Sequence, residues 1–131
     1  MQILQPAAWA RPRGYANGVA AEGRLVFIAG QIGWNAEQRF DHMDLAGQVR
    51  QALRNVVDVL AEAGGRPEHI TRLTWYLLDK REYVAQAGPI GAVYRAVMGR
   101  HFPAMTAVQV SALIEDAALV EIEATAVIPA P

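Results

Sequence analysis

From Val120 to Ile128 the chain reads VEIEATAVI, and the strict alternation in that run constrains the fold more than any other feature. Successive side chains of a strand point to opposite faces. Val120, Ile122, Ala124, Ala126 and Ile128 therefore share one face, and Glu121, Glu123 and Thr125 share the other. The apolar face calls for a cover of helices. The face with the acids is then left bare, and a bare sheet face is either solvated or covered by another subunit.

Upstream segments supply the cover. Between Met43 and Ala63 the apolar residues Leu45, Val49, Leu53, Val56, Val57 and Leu60 fall on one helical face, with Asp41 as the predicted N-cap and Gly64 and Gly65 as the stop. A second helix is predicted from Asp79, which is followed three residues later by Glu82 in the manner of a capping box. Tyr83, Ala87, Val93, Tyr94 and Val97 carry that helix on to Gly99, and Gly88–Pro89 should kink or restart it, because proline has no backbone donor.

The remaining runs read as strands. Residues 15–20 and 24–30 form a predicted hairpin in which Gly23 takes positive φ. In HITRLTWYLLD, Leu73, Trp75 and Leu77 point one way and Arg72, Thr74 and Tyr76 the other. Strands at 105–113 and 119–128 follow, separated by the turn-like IEDAA. The order β-β-α-β-α-β-β predicts an α+β fold, a mixed sheet with both helices on one face, in a single domain of 131 residues whose first 13 form an N-terminal arm. The strand at 105–113 is expected beside the last one, adding Met105, Ala107, Gln109 and Ser111 to the bare face. Such small or amphipathic groups favour an oligomer with a semi-polar interior.

Composition then removes several chemistries. With no cysteine, thiolate catalysis, disulfide frameworks and cysteine-ligated metals are out. Ser111 and Lys80 are the only serine and lysine, and neither sits in a nucleophile motif. His42, His69 and His101 form no close pair, so no metal site is expected, and nothing calls for a cofactor. A net charge of −1 with scattered basic residues gives no footprint for nucleic acid. Without a basic leader or a long apolar run, no membrane span is expected, and the chain reads as soluble and cytoplasmic.

Glu121 and Glu123 are the candidates for chemistry. Strand geometry sets them about 7 Å apart on one face, where enclosure would drive two carboxylate pKa values apart. The competing reading is a charged edge strand that resists aggregation.

Taken together, GYANGV, RLVFIAGQIG, LAEAGG, ITRLTWYLLDKREY, HFPAMTAVQVSAL and ALVEIEATAV resemble the RidA/YjgF family of reactive-intermediate imine deaminases, in one order over residues 14–128. The resemblance implies a chorismate-mutase-like α+β fold and a homotrimer with small-molecule clefts between subunits. It also implies a glutamate at Glu121 that holds the hydrolytic water, a tyrosine at Tyr15, and a cleft lined by Ala29, Gly30 and Gln31. Arg13 replaces the proline-like context of that tyrosine. The arginine that clamps the substrate carboxylate in active members falls on Met105, followed by Thr106 and Ala107, and a helix asparagine falls near Gly91. Methionine donates no hydrogen bond, but it makes flexible, polarizable contacts with irregular or aromatic ligands, and it equally fills interfaces. Three readings follow: an imine or enamine hydrolase of altered specificity, a trimer that binds a ligand without turnover, and, least supported by the charge balance, a protein acting on RNA.

Overall fold

The computed structural model describes residues 1–131. Helix α1 (Leu45–Glu62) forms where the apolar stripe predicts it, and Leu45, Val49, Leu53, Val56 and Leu60 are each 2% exposed or less. Each such burial contributes about 1.5–3 kcal/mol. The N-cap is Asp44, not Asp41: its carboxylate accepts the Gly47 amide at 3.0 Å, while Asp41 accepts the Asn35 side-chain amide in the preceding loop. Gly64, at φ 79°, ends the helix as expected.

The main sheet holds β3 (Arg24–Ile32), β4 (Ile70–Leu77), β5 (Ala104–Gln109) and β6 (Val120–Ile128) in the order β3-β6-β4-β5, with β4 and β5 parallel and the other pairs antiparallel. α1 and α3 (Ala87–Met98) pack on one face, and a short α2 (Lys80–Ala85) precedes α3. The chain is thus an α+β domain with a mixed sheet and three helices, where two were predicted. The predicted restart lies at Gln86, which places Pro89 in the first turn of α3, where its missing donor does no harm. Asp79 caps α2 through the Arg81 and Glu82 amides, but Glu82 does not reach back to complete a box; it accepts from Gln86 instead.

Three expectations fail. The hairpin of 15–20 with 24–30 does not exist: β2 (Gly18–Ala20) pairs with β1 (Gln2–Leu4), inside the stretch read as an arm, and β3 pairs with β6. Gly23 serves close approach rather than a hairpin, since a Cβ there would lie 2.1 Å from the Ile128 carbonyl oxygen. The strand at 105–113 stops at Gln109. Most consequentially, β4 lies between β5 and β6, and the register Leu73↔Met105, Trp75↔Ala107, Leu77↔Gln109 puts those three β5 residues on the helix-covered face. Thr106 and Val108 occupy the bare face instead.

Two side-chain amides of α1, Gln48 buried and Asn55 half-buried, fix the strands that carry the candidate site. Gln48, fully buried on α1, donates to the His42 and Ala117 carbonyls and accepts the Leu119 amide, so its polar atoms are satisfied where burial would otherwise be costly. Asn55, two turns further on, donates to the Ile32 and Trp34 carbonyls and pins the end of β3 to α1. No helix is long and apolar enough to cross a membrane.

Candidate functional site

On the bare face, β6 presents Glu121 and Glu123 between Tyr76 and Thr74 of β4 on one side and β3 on the other. The two acids are both half-buried, yet they are not equivalent. Glu123 accepts the Tyr76 hydroxyl at 2.5 Å, and that hydrogen bond, with partial burial and the two carboxylates, raises the Tyr76 pKa above the usual phenol value against a smaller opposing effect of Arg72. Glu121 accepts no hydrogen bond from the chain, so its lone pairs remain available. Gly30 makes its placement possible: a Cβ at that position would lie 2.3 Å from Glu121 Oε2 and 2.8 Å from its Cδ, closer than side chains approach. The irregularity in β3 between Ile28 and Gln31 carries Ala29 and Gly30 across the carboxylate.

A hollow of about 460 Å³ opens beside the acids, with Phe27, Ala29, Arg72, Thr74, Glu123 and Thr125 in its wall; Glu121 lies outside it. Phe27 is 75% exposed and Leu25 58%, on the same bare face. Gln31 turns back to donate to the Ala29 carbonyl at 3.0 Å.

Met105 is not in the wall of that hollow; it borders a depression shared with Arg72, Thr106 and Thr125 and also a second cleft. Across the sheet, at its β5 edge, a cleft of about 440 Å³ brings together Tyr15, Gly91 and Met105, three of the residues singled out from the sequence. Tyr15 arrives there because Ala16 bridges to Ala104 and its amide donates to the Pro103 carbonyl at 3.0 Å. The floor is aromatic: Tyr94 stacks on Phe102 with centroids 5.4 Å apart and interplanar angle 12°, and on Trp75 at 6.5 Å and 27°. Tyr94 donates to the His101 carbonyl at 2.6 Å, and burial pushes its hydroxyl pKa well above the ordinary range; Tyr83, edge-on to Trp75, is raised for the same reason. Half-buried Met105 packs against the core from the cleft wall. Ala107 shares its face one step along β5, whereas Thr106 faces the acids' side.

The candidate residues therefore divide into two sets: Glu121 with Ala29, Gly30 and Thr106 on the bare side, and Tyr15, Gly91 and Met105 in the cleft behind the sheet. The aromatic floor and Arg95, which also lines the cleft, were not singled out in the sequence. The alternating or helical spacing of the rings resembles ordinary core, and Trp75 and Tyr94 are in fact buried; half-buried Phe102 and exposed Arg95 reach the cleft at the β5 edge. A larger hollow, about 610 Å³, beside Asp79 and Lys80 is walled by groups already engaged in capping α2, Asp79 and Gln109 among them. No three histidine, aspartate or glutamate residues gather as a metal site would require.

Comparison with known proteins identifies the family and agrees with the fold. The family model described as endoribonuclease L-PSP matches residues 6–128. A RutC family protein of Synechocystis is 32% identical over 136 residues, 98% of each chain. The 2-iminobutanoate/2-iminopropanoate deaminase of Escherichia coli K12 is 33% identical over 116 residues, 86% of each. Among solved structures, a Rid family protein of unknown function from Yersinia pestis superposes with TM-score 0.85 at 31% identity over 97% of this chain and 98% of that one. The YjgF gene product of E. coli does so with TM-score 0.68 at 32% identity over 86% and 87%. Matched along almost its whole length by sequence and by fold, the chain belongs to the RidA/YjgF family, the family described as endoribonuclease L-PSP.

Proposed function

We propose that the chain is an imine or enamine hydrolase with specificity shifted from the small imino acids, acting in a homotrimer whose sites lie between copies. One observation carries the reading: of two half-buried carboxylates on the bare face, Glu123 is engaged by Tyr76 and Glu121 is not. A carboxylate held partly enclosed with free lone pairs is what positioning a nucleophilic water requires. Exposed Phe27 and Leu25, further along the same face, supply apolar surface for a neighbouring copy to bury.

In the reaction, water held by Glu121 adds to the carbon of the C=N bond, its proton passing through the carboxylate to nitrogen. The carbinolamine collapses to a carbonyl and releases ammonia, so no electrons are exchanged and no cofactor is needed. Tyr15, in the cleft of the neighbouring copy, donates a hydrogen bond to the ligand. The relative named as an iminobutanoate and iminopropanoate deaminase supports this chemistry class. Residue 105, however, offers no donor to a small substrate's carboxylate, and turnover of such imines should fall below that of relatives with an arginine there.

The same absence favours a second reading, a trimer that binds a ligand without turnover. Substitution separates the two. With imines of several 2-oxo acids as substrates, Glu121→Gln should lower turnover by about 10²-fold or more with binding retained, while Glu123→Gln stays near wild type. Equal small effects from both would refute the assignment of the water to Glu121, and no turnover by the unaltered protein would establish the binding reading.

A further inference from the structure

Arg95 stands in an arrangement that its position in the helix alone does not explain. It lies four residues after Gly91 on α3, so the two share a face, and the Cα–Cβ bond of a helical residue tilts toward the helix start. The guanidinium folds back accordingly: Nη1 sits 3.2 Å and Cζ 4.0 Å from where a Gly91 Cβ would be. A larger side chain at 91 would displace it. The ordinary duty of an arginine in the last turn of a helix is to meet the final carbonyls, but the Arg95 side chain makes no such bond, and the one salt bridge of the chain is Arg66 with Glu68. Arg95 is an unpaired cation laid along a cleft wall.

The cleft suits a particular kind of ligand. No acid lines it, and nine of its thirteen lining residues are apolar, so an anion entering there meets positive charge from Arg95 and from Arg13 without a competing carboxylate. Half-buried Phe102, backed by the buried rings of Tyr94 and Trp75, offers aromatic surface together with Tyr83 and exposed Tyr15, and Met105 a deformable one. Trp75, 2% exposed, also has an indole N–H with no acceptor in the chain. A volume of about 440 Å³ exceeds the needs of a three- or four-carbon acid and falls within the range of small-molecule sites.

We infer that Arg95, settled into the space left by Gly91, is the anion anchor of this cleft, and that its ligand is a carboxylate bearing an aromatic ring. The inference rests on the reading of the cleft as the ligand site, but it concerns binding and not turnover. The geometry assigns the ring to the aromatic floor and the carboxylate to the guanidinium, where a charge-assisted pair forms.

Calorimetric titration with three stable probes tests this on the full chain: phenylpyruvate, its neutral methyl ester, and 2-oxobutanoate, which keeps the carboxylate and lacks the ring. Phenylpyruvate should bind about tenfold or more tightly than 2-oxobutanoate. Arg95→Ala should weaken phenylpyruvate on the order of tenfold or more while leaving the ester unchanged, with Arg95→Lys intermediate. Gly91→Asn, which crowds the guanidinium while leaving position 95 intact, should weaken phenylpyruvate as well. Unchanged phenylpyruvate binding by Arg95→Ala, a loss seen with Arg13→Ala instead, or equal binding of the ringless acid would each overturn it. Because these readings need no catalysis, a Glu121 variant that proves fully active would refute the assignment of the water to Glu121 and leave the anchor standing.

Discussion

On the helix side of β6, Ile122 and Ala126 are completely buried by groups of their own chain. One residue along, on the other side, Glu121 and Glu123 are half-buried, and Phe27 on the adjacent strand is 75% exposed. The two pairs on β6 come from the same nine-residue run, so the difference lies in what covers each face. The helix face is finished by α1 and α3, and the aromatic cleft opens at its β5 edge. The bare face carries polar groups too enclosed for a freely solvated surface and apolar groups too exposed for a core. Each face also holds half of the candidate site, Met105 on one and Glu121 on the other. On the function proposed above, a second copy laid on the bare face would bring the two halves to one ligand.

The comparison breaks most readily at Phe27. If the bare face is a subunit interface, Phe27→Asp buries an unpaired charge at it, and light scattering at micromolar concentration should show the trimer mass of the unaltered protein falling to that of the monomer. The fold should survive, because the exposed ring contributes little to the core of its own chain. A wild-type protein already monomeric at that concentration would sink the interface assignment.

Met105→Arg sharpens the comparison from the other side, with a smaller effect. The side chain is half-buried but borders an open cleft, so an arginine can lay its stem along the wall and keep its charge in water. Thermal unfolding should register a loss of about 1 kcal/mol or less, and binding of small 2-oxo acids should strengthen severalfold as a second donor joins Arg95. A loss of several kcal/mol would mean that position 105 is closed packing and not a ligand contact.

How much of this the sequence carried depended on whether one element or a pairing of elements decided the matter. The alternation of VEIEATAVI and the stripe from Leu45 to Leu60 are properties of single elements, and both faces came out as read. The side of Met105 did not, because it depends on β5 lying beyond β4 and running parallel to it, a pairing that no local period encodes. The strand Gln2–Leu4 is three residues long, too short for a periodic signal, and its capture of β2 dissolved the predicted hairpin. Asp41 and Asp44 are equally good caps by type, and three-dimensional engagement of Asp41 by Asn35 decides between them. The family resemblance marked Met105 and Gly91 as departures, but the folding back of Arg95 over Gly91 is a matter of side-chain conformation, visible only in three dimensions.

If one copy supplies Glu121 and another supplies the cleft, mixing two damaged variants should restore intact sites. Glu121→Gln removes the water-holding carboxylate, and Ala87→Trp, at an exposed position lining the cleft, fills the other half. Each variant alone should be nearly inactive toward the imine of an aromatic 2-oxo acid. Unfolded together and refolded as a mixture, they should recover about a quarter of the wild-type rate, the share of sites that random mixing in a symmetric oligomer furnishes with both intact halves. A mixture no more active than its parts, with mixed oligomers shown to have formed, would place the whole site within one chain and contradict the account.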